Sequence, residues 1–169
     1  MQQIADAAGV NKATLYYHFT DKETLFAAVM AEEMERLRAG VARAMAADAP
    51  LRVRLQDAAE FIFGATRADF GRLAAEMRQH LTADFRERLF HEHTPPWELV
   101  RPAIAEAAAS GEIRPVDPAQ AARLFFAMVM SQVGAAKFSA EGTPPRPEDA
   151  AAIVGIFFDG IAPAAARED

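Results

Sequence analysis

The side chains best suited to catalysis or metal binding are four histidines and the carboxylates near them. Glu76 precedes His80 by four residues, and Glu87 precedes His91 by four. A carboxylate-bridged di-iron bundle instead uses a glutamate three residues before a histidine on two of its helices. His91 and His93 are two apart, which does not place two ligands on one helix face, and no cysteine is present to complete a zinc site. We therefore predict no metal site.

Motifs for covalent or phosphoryl-transfer chemistry are absent from the sequence. It contains no glycine-rich phosphate loop, no serine nucleophile elbow and no H-E-x-x-H motif, and His91-Glu92-His93 does not match the last of these. Without cysteine there is also no thiolate nucleophile. The sequence therefore predicts a protein that is not an enzyme and needs no cofactor.

A different chemistry, hydrogen bonding to nucleic acid, is indicated near the amino terminus. Ile4, Ala5 and Ala8 recur on one apolar face of a short predicted helix. Gly9 follows where a helix C-terminus favours a residue that tolerates positive φ. Val10 is expected to fill the turn that comes next. This stretch predicts the first half of a helix-turn-helix.

The second half of that motif is a helix with an unusual outward face. Asn11 is a favourable N-cap for a helix over Lys12–His18, and Leu15 and Phe19, four residues apart, hold it against the rest of the chain. The remaining face carries hydrogen-bonding groups and flat rings: Lys12, Thr14, Tyr16, Tyr17 and His18. A helix of this kind fits the major groove, where side chains contact base edges and phosphates.

The stretch from Ile4 to Phe26, I-A-x-x-A-G-V-x-x-x-T-L-Y-Y-H-F-x-x-K-E-x-L-F, resembles the DNA-binding signature of the TetR family of transcriptional repressors. The resemblance implies that Lys12–His18 is the recognition helix and that Lys12 lies among the DNA-contacting residues. It also implies a homodimer that binds double-stranded, pseudo-palindromic operator DNA. A small-molecule effector would release that DNA by favouring the state with wrongly spaced recognition helices.

The same resemblance implies separate roles for the polar side chains of the motif. Thr14 and Tyr16 correspond to positions that contact base edges. Tyr17, His18 and Lys22 correspond to positions that contact phosphates. The alternative is that the tyrosines are only core aromatics, but two adjacent tyrosines cannot both point inward on one helix.

The family places a whole helix before this motif, whereas Met1 already falls inside its second helix. We therefore expect a head that lacks its first helix, with Ile4, Leu15 and Leu25 less well covered, and weaker DNA binding by this chain. A start codon assigned too late, a missing part of the chain and a truly headless protein all remain open. The last would be a dimeric, small-molecule-binding helical protein that has lost DNA binding through N-terminal truncation.

Composition and charge favour an all-α protein that touches DNA at one end. The chain has 169 residues and a net charge of −6. Its first 22 residues balance Lys12 and Lys22 against Asp6 and Asp21, so the acidic excess lies in the body. The longest uncharged apolar stretch, 124–136, is shorter than the roughly 18–20 residues that a membrane span requires. The sequence has no recognisable signal peptide and no cysteine, which favours a soluble, cytoplasmic protein without membrane contact.

The body is predicted to consist of helices separated by clear capping signals. Thr20 and Glu23 suggest a capping box that starts a long connecting helix. Thr94 as N-cap with Pro95 as the first helical residue suggests another start. The predicted helices cover about 20–47, 51–66, 69–81, 83–92, 94–110, 118–138 and a last segment ending near 161. We assign 1–46 to an incomplete DNA-binding region with its connecting helix, and 47–169 to a ligand-binding and dimerisation domain.

The last two helices each carry more apolar surface than one neighbour can cover. Paired across a two-fold axis, they would form a four-helix bundle, unless both faces are buried within one subunit. The predicted interface residues are Phe126, Met130, Val133, Ile153, Ile156, Phe157 and Gly160.

The middle helices supply bulky apolar side chains with a few polar groups, as small-molecule sites do. The candidate pocket residues are Phe61, Met77, His80, Trp97, Phe125 and Met128. The same residues would equally suit an ordinary core, and the resemblance alone favours an effector site.

Overall fold

The computed structural model describes residues 1–65, 95–135 and 145–161. These ranges are helical, with no β-strand among them, as the composition predicts. The helices are α1 (Gln2–Ala8), α2 (Lys12–His18), α3 (Lys22–Met45), α4 (Leu51–Ala65), α5 (Trp97–Ser110), α6 (Pro118–Ala135) and α7 (Pro147–Ile161). We call α1 and α2 the head and α4 to α7 the body, and α3 connects them. The predicted helices over 69–81 and 83–92 lie outside the described residues.

The core lies among the helices of the body. α4 packs against α3 and α7, and α5 packs against α6 and α3. The largest side chains at their shared centre are fully buried, among them Leu55, Ile62, Ile104, Phe125 and Val129. Burying such side chains stabilises the fold by roughly 1.5–3 kcal/mol each. The C-terminal half of α3 contributes Leu37 and Val41 to the same core, so one end of the connecting helix is built into the body.

The start of α3 differs from the prediction by one residue. Asp21, not Thr20, is the N-cap: its carboxylate accepts a hydrogen bond from the Thr24 amide at 2.7 Å. The Thr24 hydroxyl in turn accepts one from the Asp21 amide at 3.2 Å, so Thr24 takes the part predicted for Glu23. Asp21 is the extended residue that directly precedes the helix, and its carboxylate reaches the free amide without strain. The predicted Thr20–Glu23 capping box is therefore wrong.

The start of α5 also differs from the prediction. The helix begins at Trp97 with Pro96 in the N-cap position, whereas Pro95 was expected as the first helical residue. Neither proline can donate a backbone hydrogen bond, and the Pro95 and Pro96 carbonyls accept the first bonds, from Glu98 and Leu99. Thr94 lies outside the described residues.

Two other boundaries agree with the capping signals. Gly111 ends α5 with φ of +78°, a left-handed conformation that glycine adopts without a steric penalty. The Asp117 carboxylate accepts hydrogen bonds from the Ala119 and Gln120 amides, and Pro118 is the first residue of α6. None of the helices in the described part of the chain is long and apolar enough to cross a membrane.

Candidate DNA-binding surface

The head forms the predicted helix-turn-helix with local hydrogen bonds. Gly9 has φ of +67°, and its amide donates to the Asp6 carbonyl while the Val10 amide donates to the Ala5 carbonyl. These bonds satisfy carbonyls that the end of α1 would otherwise leave without partners. The Asn11 side chain then accepts a hydrogen bond from the Ala13 amide at 2.9 Å and caps α2. The bounds of α2 are those that the sequence predicts.

The inward side of the head is smaller than predicted. Ala5 and Leu15 are buried, and Ile4 and Phe19 are partly buried. Ala8 is exposed, and Val10 exposes 42% of its surface, so neither fills the interior as expected. The turn is closed by the Val10 backbone amide rather than by its side chain.

The outward side of α2 presents polar groups and rings to solvent. Tyr17 exposes 86% of its surface and Tyr16 exposes 45%, and Thr14 and His18 are also exposed. A tyrosine as exposed as Tyr17 contributes little to the core, so packing within the chain does not explain why an aromatic residue occupies this position. The ring of His18 meets the Tyr17 ring edge to face at 5.1 Å, which restricts both rings.

Two lysines flank this surface. Lys12 lies in the first turn of α2, with its ammonium nitrogen 5.8 Å from the centre of the Tyr16 ring, within range of a cation–π interaction. Lys22, the first residue of α3, is exposed. The structure thus exposes all the predicted DNA-contacting residues, five on α2 of the head and Lys22 at the start of α3. This surface suits DNA, because a helix that can enter a groove exposes Lys12 together with several hydrogen-bonding side chains.

Beside Lys22 stands the capping carboxylate of Asp21. Hydrogen bonds from the Thr24 backbone amide, and then from the Thr24 side chain, hold the pKa of the Asp21 carboxyl below its ordinary value of 3.8. Asp21 therefore remains charged at neutral pH, directly beside Lys22 in the sequence. The free amide groups at the N-terminus of α3 partly neutralise the negative charge of the Asp21 carboxylate.

The described part of the chain holds four of the predicted ligand-pocket residues, and each lies in or against the hydrophobic core of the body: Phe61, Trp97, Phe125 and Met128. Phe125 is fully buried, with its ring 5.3 Å from that of Phe157, and the Trp97 ring lies 5.8 Å from the Phe126 ring. The Phe61 ring instead packs against Gly40 of α3. Met128 is partly buried. The candidates Met77 and His80 lie outside the described residues, as do His91 and His93.

The predicted dimer-interface residues divide between core and surface. Val133, Ile153 and Phe157 are each only 7% exposed, so a single chain already covers them. Ile156 is 69% exposed, and Gly160 shares its outward face on α7. At about 100° per residue, Ile156 lies about 60° from Ile153 and about 100° from Phe157 around the helix, on the side away from the fully buried Ala150 and Val154. Within one chain, the predicted interface residues of α7 thus comprise two that are buried, Ile153 and Phe157, and two that are exposed, Ile156 and Gly160.

Helix α6 exposes a different apolar residue from those predicted for the interface. Phe126 and Met130, which the sequence also predicts for the interface, are partly buried on α6. The exposed large apolar residue of α6 is Leu124, at 54%. Because α6 is apolar nearly all round, its sequence pattern does not distinguish the exposed Leu124 from the buried Phe125.

Sequence reasoning also missed a polar cleft of about 510 Å³ where α3, α4 and α5 meet. Its walls include Met45, Arg54, Glu106 and Glu112. Arg54 donates to the Met45 carbonyl and to the Glu106 carboxylate, and Glu112 accepts from the Leu51 amide. The contacts of Glu112 with Leu51 and of Arg54 with Glu106 join residues more than 50 positions apart. The sequence could have indicated this cleft only through the charged residues near the helix ends.

Two family models match this chain in succession. Residues 1–29 match the bacterial regulatory proteins of the tetR family, and residues 51–158 match the C-terminal domain of AefR-like transcriptional repressors. The transcriptional activator FasR of Mycolicibacterium smegmatis is 41% identical over 63 residues. That match covers 37% of this chain and 29% of FasR, less than a third of its length.

Solved structures are similar over nearly the whole chain. A protein of unknown function from Rhodococcus sp. RHA1 is 28% identical, with a TM-score of 0.71 over 96% of this chain and 84% of that one. AibR in complex with isovaleryl coenzyme A and operator DNA is 25% identical, with a TM-score of 0.68 over 93% of this chain and 85% of AibR. The Bacillus subtilis regulator FadR in complex with stearoyl-CoA is 18% identical and shares the fold, with a TM-score of 0.77 over 95% of this chain and 87% of FadR. Since the second family model alone spans residues 51–158, well over half of the sequence, the chain belongs to the TetR family of bacterial transcriptional regulators.

Proposed function

We propose that this regulator binds operator DNA through the exposed face of α2 and represses transcription until a small-molecule effector releases it. The observation that carries the proposal is the outward face of α2, where Tyr17 exposes 86% of its surface beside exposed Thr14 and His18. An exposed helix face of this composition has no role in packing the chain. Repression is favoured over activation because the repressor-type model matches most of the body, whereas the match to an activator is confined to 63 residues.

The proposed contacts follow from where each side chain lies along the head. Thr14 and Tyr16 lie on the exposed face of α2 and would contact base edges in the major groove. Tyr17 and His18 lie at its C-terminal end and Lys22 lies just beyond, where they would contact phosphates on either side of that groove. Since the head carries few cations, such phosphate contacts would dominate the salt dependence of binding.

A homodimer would supply the two heads that a pseudo-palindromic operator requires. Leu124 on α6 and Ile156 on α7 are exposed apolar residues, and the small exposed residues Ala152 and Gly160 lie near Ile156 on α7. Small residues let helix backbones approach closely, and the two exposed apolar side chains would be covered on pairing. The two helices of each chain would then form a four-helix bundle across a two-fold axis.

For the effector, a coenzyme A thioester with a short acyl chain is the first candidate. The support is the likeness to AibR, solved with isovaleryl coenzyme A and operator DNA at 25% identity. The apolar side chains of Trp97, Phe126 and Met128, which are partly buried beside the core, would suit an acyl group. An effector that prefers the conformation with wrongly spaced heads weakens DNA binding by its differential affinity for the two conformations.

The proposal is tested by selecting duplexes from a randomised DNA pool and measuring binding of the enriched duplex by fluorescence anisotropy. We expect a pseudo-palindrome, with affinity that falls steeply as salt rises, and release on addition of isovaleryl coenzyme A but not of coenzyme A alone. A tight acyl-CoA complex without any DNA enrichment would instead indicate a ligand-binding protein without operator binding. Enrichment without release would leave the DNA-binding proposal intact and exclude that effector class.

A further inference from the structure

The side chain of Lys12 contacts an aromatic ring rather than a carboxylate. Its ammonium nitrogen lies 5.8 Å from the centre of the Tyr16 ring. A cation–π attraction extends to about 6 Å from a ring centre. Within the described ranges, neither the Lys12 ammonium nor the Tyr16 hydroxyl has a hydrogen-bond or ion-pair partner. The ring is therefore the partner that the described part of the chain offers to this cation, and the tyrosine hydroxyl is left available to another molecule.

The spacing along α2 favours this pair. Lys12 and Tyr16 are four residues apart, so their side chains lie on the same face of the helix, one turn from each other. Long side chains on a helix lean toward its N-terminus, which directs the Tyr16 ring over the turn that carries Lys12. Tyr16 exposes 45% of its surface. Packing thus covers little more than half of the tyrosine, and Lys12 restrains it from the solvent side.

Helix stability does not explain a lysine at this position. Lys12 is the first residue of α2, where the positive end of the helix dipole disfavours a cation. The neighbouring cap is the neutral side chain of Asn11, which brings no negative charge to offset the lysine. At the start of α3, by contrast, the charged carboxylate of Asp21 lies beside Lys22 in the sequence. The group near Lys12 that favours a cation is the Tyr16 ring.

We propose that Lys12 is a positioning residue for Tyr16, whose ring it holds in the orientation that brings the hydroxyl to a base edge. The inference rests on the proposed function, in which Tyr16 contacts base edges. A restraint that exists before binding raises the fraction of chains with a correctly oriented ring, and affinity rises by the same factor. For an exposed cation–π contact this factor is about two- to fivefold for each head. The effect depends on DNA sequence because it acts through a base contact, whereas a phosphate contact carries no sequence information.

The contact itself is tested in the full chain without DNA or effector. Protons above the face of an aromatic ring resonate upfield, so NMR should show the ε-methylene protons of Lys12 upfield of those of Lys22. Lys22 is the matched reference, since it is exposed and forms no cation–π contact with the described residues. Tyr16→Leu should abolish the difference, and Tyr16→Phe, which keeps the ring, should retain it. Equal resonances in the wild-type chain, or a difference that survives Tyr16→Leu, would overturn the proposal.

Binding to DNA then separates positioning from phosphate contact. Lys12→Met and Lys22→Met remove the same charge, and methionine has a helix propensity close to that of lysine. Lys12→Met should change preference at the same base pairs as Tyr16→Leu. Lys22→Met should leave the preference unchanged and reduce the slope of log K against log salt more than Lys12→Met does. Lys12→Arg keeps a cation over the ring and should restore the wild-type preference.

A double-mutant cycle measures the coupling between the two residues. Lys12→Met should weaken operator binding about two- to fivefold for each head when Tyr16 is present, and have little further effect in the Tyr16→Leu background. Circular dichroism establishes that each variant is folded. Equal losses in both backgrounds, or an unchanged base preference in Lys12→Met, would overturn the proposal. If the wild-type chain bound no duplex while the upfield shift of Lys12 was present, the proposed function would fail and the Lys12–Tyr16 contact would stand.

Discussion

The carboxylate of Glu112 accepts a hydrogen bond from the backbone amide of Leu51 at 2.7 Å, although the two residues are 61 positions apart. Leu51 is the first residue of α4, where the amide has no partner within its own helix. Its side chain is almost fully buried, so an unpaired amide would be costly there. The loop that follows α5 therefore caps α4 from outside and joins the two central helices of the body.

This contact predicts a selective loss of stability. Glu112→Ala should lower the free energy of unfolding by about 0.5–2 kcal/mol, the range for removal of a helix cap. Glu112→Gln keeps an acceptor oxygen and should lose less. Urea denaturation measures both. Glu106→Ala, which removes an exposed ion pair with Arg54, is the comparison and should cost at most about 1 kcal/mol. The absence of any loss in Glu112→Ala would show that the cap contributes nothing to stability.

The cap of α3 predicts a dependence on pH confined to acid. The pKa of the Asp21 carboxyl is lowered in the folded chain, chiefly by the Thr24 amide. Its stabilising contribution is thus complete above the ordinary pKa of 3.8 and is lost as pH falls through the lowered value. Hydrogen-exchange protection of the first turn of α3 should therefore be constant near neutrality and fall below about pH 4. Asp21→Asn provides an uncharged cap and should abolish this fall in protection at acid pH. If the fall persisted in Asp21→Asn, it would have to arise from another titrating group.

The head residues are expected to divide by the kind of contact they make. Tyr17→Ala and Lys22→Ala should weaken binding to all duplexes alike, and Lys22→Ala should reduce the slope of log K against log salt by about 1. Thr14→Ala should change which sequences are preferred. Anisotropy titrations at several salt concentrations, with operator and altered duplexes, measure both effects. If Lys22→Ala changed only sequence preference, the assignment of contacts would be wrong.

Pairing of two chains is expected to depend on the exposed apolar residues of α6 and α7. Ile156→Glu should weaken the dimer by roughly 2 kcal/mol or more, because the charge would be buried at the centre of the interface. Val53→Glu on α4 is the matched control, since Val53 is also an exposed apolar residue, at 45%. Sedimentation velocity over a range of concentrations measures both variants. A monomeric wild-type chain at micromolar concentration, or equal effects of the two substitutions, would contradict this interface.

The elements that local chemistry determines were predictable from sequence. Gly9 ends α1, and Asn11 caps the start of α2 two residues later. The bounds of α2 therefore follow from the sequence alone. The start of α3 was predicted one residue early because Thr20 and Asp21 are both good caps, and only the backbone conformation decides between them.

Contacts between distant residues could not be predicted in this way. Nothing in the sequence near Gly40 indicates that the Phe61 ring will occupy the space of its missing side chain. Likewise, α7 is apolar on several sides, so its pattern could not tell that Ile153 is buried while Ile156 is exposed. Such details depend on which helices meet and in what order, which periodicity does not encode.

Contact between the exposed face of α2 and operator DNA can be observed residue by residue. The most direct test is to follow backbone amide resonances of the isotope-labelled full chain while the selected duplex is added. We expect saturable shifts concentrated at residues 11–22, with much smaller changes at residues 51–65 of α4. Saturable binding of the duplex with residues 11–22 unperturbed would show that α2 does not contact the DNA.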